Sequence, residues 1–288
     1  ESQMQAGADF ATDGVPDGEW QAYGRTTYGR RYSPLDQITP ENAGDLEVAW
    51  TYQTGQVRGS DDPGETTYEV TPLVFDDTMY VCTPFATVIA LDPVTGDEKW
   101  RFDPQLKQPP SQTTQHMTCR GVSYFDGSRR PRPQQDMPSG EDEVAAAETA
   151  TDRVARSAAE VTTQAAGVPQ NVVTGHAEAG APNPTVDREP SAVTASISGE
   201  CVKRLFVPTS DGRLISISAE TGEICPGFGG EDGTVNLWAN MPNVTPGSFY
   251  STSPPVVTDR LIIVGGAVND NASTTSPSGV IRAYDRWA

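Results

Sequence analysis

Apolar residues in this chain gather in short runs separated by polar turns. They do not follow the three- and four-residue spacing of an amphipathic helix, so the pattern predicts strands. The clearest unit is Val88-Ile89-Ala90-Leu91, then Asp92-Pro93-Val94-Thr95-Gly96-Asp97, then Glu98-Lys99-Trp100. It reads as an apolar strand, a Thr-Gly reversal and a second strand ending in Trp. Leu214-Ile215-Ser216-Ile217-Ser218 followed by Ala219-Glu220-Thr221-Gly222 repeats it, and Val280-Ile281-Arg282-Ala283-Tyr284-Asp285 opens a third copy.

Further strands precede each copy. Segments 70–75 and 78–82 flank an Asp76-Asp77 turn; 204–208 precede 214–218, with 223–225 after them; 255–258 and 261–265 precede 280–284. A short helical start at Asn42 leads into a strand at 46–52. Repeated units of four short strands are the signature of propeller blades. The fold predicted is therefore all-β, a partial β-propeller of about three blades. Closure needs at least about four, so the repeats are expected to belong to a longer ring.

The pattern fails over 127–200, which holds no Phe, Trp, Tyr or Leu and is rich in Ala, Glu, Thr, Pro and Gly. Such a segment buries too little apolar surface to offset its ordering entropy, and a long disordered insertion is predicted, with helix-forming composition at 141–166. The chain thus divides into a flexible lead-in at 1–18, first blades at 19–126, the insertion at 127–200 and further blades at 201–288.

Charge narrows the partners. The net charge of −19 comes with only three lysines, Lys99, Lys107 and Lys203. So acidic a surface repels phosphate backbones and excludes nucleic acid. No apolar run approaches the length of about 20 residues that spans a bilayer. The even set Cys82, Cys119, Cys201 and Cys225 has no Cys-x-x-Cys spacing, which fits disulfides in an oxidising compartment. Cys82 with Cys119 and Cys201 with Cys225 is one of three possible pairings, and spacing does not choose among them.

Several segments go beyond a generic repeat: Trp20-Gln21-Ala22-Tyr23-Gly24-Arg25, Arg31-Tyr32-Ser33-Pro34-Leu35, Asp62-Pro63-Gly64-Glu65, Tyr68-Glu69-Val70-Thr71-Pro72-Leu73, Gln115-His116-Met117-Thr118-Cys119-Arg120-Gly121-Val122 and Thr252-Ser253-Pro254-Pro255. Together they resemble the periplasmic part of membrane-bound glucose dehydrogenases that use pyrroloquinoline quinone (PQQ). The resemblance implies an eight-bladed quinoprotein propeller, anchored in the inner membrane when complete, that oxidises an aldose and passes electrons to ubiquinone. It covers nearly all of the chain outside the insertion.

PQQ is a flat tricarboxylated quinone, so its site needs cationic donors and a divalent cation acting as Lewis acid. Arg120 suits carboxylate recognition through its guanidinium fork, although an Arg at a strand end is commonly just an ion-pair partner. The resemblance places Glu69, His116 and Arg120 at the cofactor, with His116 shaping binding rather than acting as base. His176, the only other histidine, lies in the insertion. Asp270 and Asn271 offer adjacent hard oxygens suited to Ca²⁺ or Mg²⁺. They are also ordinary turn residues, and the resemblance makes them the metal ligands.

Two departures stand out. Gln53 in Tyr52-Gln53-Thr54-Gly55 replaces an Arg expected to reach the cofactor, and no adjacent cysteines accompany Arg120, which favours the sugar-oxidising branch over alcohol dehydrogenases. The proton-abstracting Asp, a cofactor Lys and a stacking Trp of the family fall on later blades, and the anchor precedes the matching region. The chain is accordingly expected to be an N-terminal fragment, inactive by itself and lacking its C-terminal blades. The competing expectation is a non-catalytic propeller scaffold of the outer-membrane assembly type, which has no need of His116, Arg120, Asp270 or Asn271.

Overall fold

The computed structural model describes residues 14–57, 59, 65–107, 116–128, 201–230, 232–258, 260–269, 274–277 and 279–285. The predicted insertion lies, from 129 to 200, outside the described residues, as do Asp270 and Asn271.

A short strand β1 (Glu65–Thr66) precedes the first sheet, an antiparallel meander of β2 (Leu73–Phe75), β3 (Thr78–Cys82), β4 (Val88–Leu91) and β5 (Glu98–Phe102). Next, β6 (His116–Met117) returns to pair in parallel with β1. The second sheet follows as β7 (Ser123–Asp126), β8 (Lys203–Pro208), β9 (Arg213–Ser218) and β10 (Thr234–Asn236), again antiparallel neighbours in chain order. The remaining strands are β11 (Phe249–Tyr250), β12 (Val256–Val257), β13 (Leu261–Val264), β14 (Ala267–Val268) and β15 (Arg282–Asp285). Of these, β12, β13 and β15 form the third sheet, while β14 pairs with β11. This is the all-β, partial-propeller architecture expected from the repeats.

Both faces of the central strands in the first two sheets are buried because those sheets are covered on both sides. Tyr80, Cys82, Val88 and Ala90 of the first sheet meet Leu205, Val207, Ile215 and Ile217 of the second in one cluster. The opposite face of the second sheet contributes Phe206 and Leu214 to a cluster with Ile262 and Val264 of the third. The period-two alternation of a strand thus feeds two cores at once. Phe75 stacks between Tyr80 and Tyr124 at centroid distances of 4.5 and 3.8 Å, joining the first two sheets.

The repeated turn is the same structure twice. Asp92 Oδ1 accepts from Val94 N and Thr95 N at 2.8 and 2.9 Å, and Ser218 Oγ accepts from Glu220 N and Thr221 N, both at 3.2 Å. Gly96 N donates to Asp92 O and Gly222 N to Ser218 O, each at 2.9 Å. The two amides hold the Asp92 carboxyl below the usual carboxylate range. Each turn receives a tryptophan from the preceding unit: Trp50 lies on Gly96, with its Nε1 donating to Pro93 O at 3.2 Å, and Trp100 lies on Gly222.

Three local expectations change. Segment 46–52 is no strand, because nothing among the described residues supplies it with a ladder partner, although Leu46 is extended. Segment 223–225 gives only an isolated bridge, Ile217 to Ile224. The chain leaves the sheet after Cys225 and returns at Gly233 to place β10 against Arg213–Ile215. The first strand of the second sheet, β7, comes before the insertion and pairs with β8 after it, from Ser123 opposite Phe206 to Asp126 opposite Lys203. The cysteines pair as Cys82–Cys119 and Cys201–Cys225, with Cα separations of 6.0 and 5.7 Å. Among the described residues no helix is long and apolar enough to cross a membrane.

Candidate functional site

The first strands of the three sheets are entered by parallel stretches of chain, Glu69-Val70-Thr71-Pro72, Arg120-Gly121-Val122 and Thr252-Ser253-Pro254-Pro255. Their backbones are stitched together in order: Thr71 N donates to Arg120 O at 3.0 Å, and Arg120 N donates to Thr252 O at 2.9 Å. Ser123 Oγ hydrogen-bonds Pro255 O one step further along. Proline suits these entries, since it needs no ladder donor and fixes an extended approach.

Gly121 fits between its two neighbours at φ +152, a region that side chains rarely adopt. A Cβ there would stand 3.5 Å from Thr71 O and 3.7 Å from the Pro254 ring. These are ordinary contact distances, so the backbone angle rather than crowding calls for glycine here.

This stitching brings Glu69 and Arg120 together. Arg120 Nε donates to Glu69 Oε2 at 2.9 Å, Arg120 Nη1 donates to Thr252 Oγ1 at 2.5 Å, and Thr67 Oγ1 donates to Glu69 Oε1 at 3.1 Å. Both ends of the ion pair are about two-fifths exposed (40% and 39%), so its net contribution to stability is small. What it fixes is direction: Glu69 holds Nε and Thr252 holds Nη1, while no described residue takes the Nη2 donors. The parallel β1–β6 pair, Glu65 opposite His116, brings the main chain of His116 to the same region, since Glu69 and Arg120 follow directly on those strands.

Thr252 was singled out by sequence only as part of a motif; its hydroxyl is a partner of Arg120. Two further hydroxyls escaped notice. Thr66 Oγ1 and Thr118 Oγ1, on or next to the β1–β6 pair, are buried with no hydrogen-bond partner among the described residues. Buried polar groups are nearly always paired, so these two hydroxyls, close in sequence to Glu69 and Arg120, have bonding capacity that a ligand or water can complete. No sequence signal identified them, because orphaning depends on what the fold leaves out.

One charged group lies deeper. Asp211, in the turn between β8 and β9 with a fully buried side chain, pairs with Arg213 at 2.7 Å. It also accepts from Thr209 Oγ1 and from Lys107 N at 2.5 and 2.9 Å. Arg213 in turn donates to Pro104 O at 2.8 Å. Burial works to raise the Asp211 carboxyl, but the bonds from Arg213, Lys107 and Thr209 outweigh it and hold it below the usual range. This clamp fixes the chain that leaves β5 on its way to His116.

The residues present fit the carboxylate side of a flat polyanionic quinone. Among the described residues the half-exposed guanidinium keeps its Nη2 donors untaken, and the hydroxyl of Thr118, two residues before it, has no partner. Among the described residues no group of three His, Cys, Asp or Glu side chains could hold a metal ion. Asp270 and Asn271, predicted for that role, lie outside the described residues.

Antiparallel sheets packed face to face, with the entries of their first strands bonded side by side, define a partial β-propeller. The sequence matches the family of PQQ glucose/ethanol/alcohol dehydrogenase β-propeller domains over residues 20–157 and 137–287, and the chain belongs to that family. It is 39% identical to quinoprotein glucose dehydrogenase A of Acinetobacter calcoaceticus over 275 residues, covering 96% of this chain and 27% of that protein. Against the quinoprotein glucose dehydrogenase of Escherichia coli K12 it is 38% identical over 271 residues, covering 94% of this chain and 26% of that protein. The chain therefore spans about a quarter of these relatives. In fold it resembles the quinohemoprotein alcohol dehydrogenase of Comamonas testosteroni, with a TM-score of 0.54 at 22% identity over 98% of this chain and 28% of that one.

Proposed function

We propose that this chain forms part of the cofactor site of a PQQ-dependent aldose dehydrogenase that converts glucose to gluconolactone and delivers the electrons to ubiquinone. The observation that carries this reading is the convergence of Glu69, Arg120 and Thr252 from three successive blade entries, leaving unused guanidinium donors on Arg120. Similarity to glucose dehydrogenases over nearly the whole chain supports the sugar as substrate.

When bound, such a quinone supplies two-electron oxidation of the sugar hydroxyl carbon. Arg120 pairs with a cofactor carboxylate, and Glu69 and Thr252 orient the guanidinium so that little freedom is lost on binding. His116 shapes the cofactor side of the pocket. Asp270 and Asn271 hold Ca²⁺ or Mg²⁺, hard cations that take such oxygen ligands. Two disulfides support a periplasmic location, since such bonds persist in oxidising compartments. In this reading residues 19–126 and 201–288 form the blades, and 127–200 is the insertion between them.

The test is reconstitution of the full-length gene product with PQQ and Ca²⁺ or Mg²⁺, followed by sugar-dependent dye reduction. Reduction with glucose is the expected result. Reduction driven only by alcohols moves the protein to the alcohol-oxidising branch. Failure to take up PQQ at all leaves a non-catalytic propeller scaffold.

A further inference from the structure

The Cys82–Cys119 bond joins the end of β3 to the residue immediately before Arg120. Cys82 is fully buried and Cys119 is 5% exposed, within the core shared by the first two sheets. Cys119 stands between the orphan hydroxyl of Thr118 and the guanidinium of Arg120. Residues 118–122 belong to no strand, and a half-exposed ion pair is too weak to hold such a segment against thermal motion. Their backbone is tied on either side by single hydrogen bonds, to Thr71 and Thr252. Cys119 and Val122 pack into the shared core, and the one covalent tie is the disulfide, anchored in a strand that pairs on both edges.

From this we infer that the Cys82–Cys119 disulfide is a positioning element of the ligand site: it fixes residues 118–122 so that Arg120 is aligned before the ligand arrives. The inference rests on the site reading above. The second disulfide, Cys201–Cys225, does a different job. It ties the start of β8 to the chain just after β9, at the other end of the second sheet from Arg120.

The contrast between the two bonds makes the test. In the full-length gene product, Cys82→Ala with Cys119→Ala is compared with Cys201→Ala with Cys225→Ala. Amide hydrogen exchange reads the positioning without any cofactor. Removing the first bond is expected to speed exchange at the amides of Thr71 and Arg120 by about tenfold while β8 and β9 stay within about twofold of wild type. Titration of apo protein then reads the consequence: the PQQ dissociation constant rises by about tenfold, while kcat of the PQQ-saturated enzyme stays within about twofold of wild type. Removing the second bond lowers the melting temperature and leaves Thr71, Arg120 and the PQQ constant unchanged.

If the first double variant does not accumulate folded, Cys82→Val with Cys119→Ala, which refills part of the buried volume, gives the same exchange comparison. Wild-type exchange rates at Thr71 and Arg120 without the bond overturn the inference, as does unchanged PQQ affinity. Wild-type protein that binds no PQQ defeats the functional reading alone, because the exchange arm still decides the positioning role.

Discussion

Trp100 lies so close over Gly222 that a Cβ added to the glycine would stand 2.6 Å from Cε3 of the indole. The two residues belong to successive sheets, and the contact latches one blade onto the turn of the next. Trp50, outside any sheet, makes the same contact with Gly96, where the nearest indole atom would also be 2.6 Å away.

Gly222→Ala therefore fails twice. The backbone sits at φ +75, where alanine is strained, and the methyl group collides with the ring. Strain and overpacking together are expected to cost about 2–3 kcal/mol, seen as a lower denaturant midpoint with an altered indole fluorescence of Trp100.

Arg120→Lys keeps the charge and loses the fork. Because the Glu69 pair is half-exposed, unfolding stability is expected to change by less than about 1 kcal/mol. PQQ affinity falls by about tenfold, the loss of one charge-assisted bond. Titration of apo protein beside a denaturation curve separates the two effects; a large stability loss with unchanged affinity would make Arg120 a structural residue.

Asp211→Asn leaves Arg213 buried beside a neutral amide, and a broken buried pair costs about 3 kcal/mol. The pH dependence has a definite sign. The folded-state carboxyl is held below its ordinary value, so its stabilising contribution is complete above the unfolded-state pKa. That contribution disappears as pH falls through the depressed folded value. The variant is expected to show a flatter loss of stability on the acid side than wild type in melts across that range.

Replacing 129–200 by a short turn is expected to preserve the site. The strands on either side already pair, and Gly127 N donates to Val202 O at 2.8 Å, so the hairpin closes without the long connection. The chain departs after β7, at the end of that strand away from Arg120. PQQ titration of the shortened protein should match wild type within about twofold; a larger loss would give the insertion a direct part in binding.

Much of the fold was legible because it is local. Strand runs, the Asp76-Asp77 reversal and the Thr-Gly turn are set within a few residues, and Asp92 and Ser218 form the same turn because each offers a side-chain oxygen at the same place. The misplaced fourth strand of the second sheet shows the limit. Residues 223–225 have the right spacing and bridge β9 through Ser218 N to Glu223 O and Cys225 N to Ser216 O. The chain then turns away where Cys225 is bound to Cys201, and the ladder resumes only at Thr234.

By itself, the sequence determined an all-β repeat, its turns, a segment that cannot build a core, and the presence of Glu69, Arg120 and the Thr252 motif. Tertiary structure decided what these residues do to one another. Glu69 and Arg120 are 51 residues apart, Arg120 and Thr252 are 132 apart, and no periodicity brings such distant positions within 3 Å. Their meeting follows from the stacking of three sheets, which lines up the entries of the first strands. The choice among cysteine pairings has the same origin. Closing a long loop costs entropy that only packed neighbours offset, and the pairing that survives is the one whose Cα atoms the blades already hold about 6 Å apart.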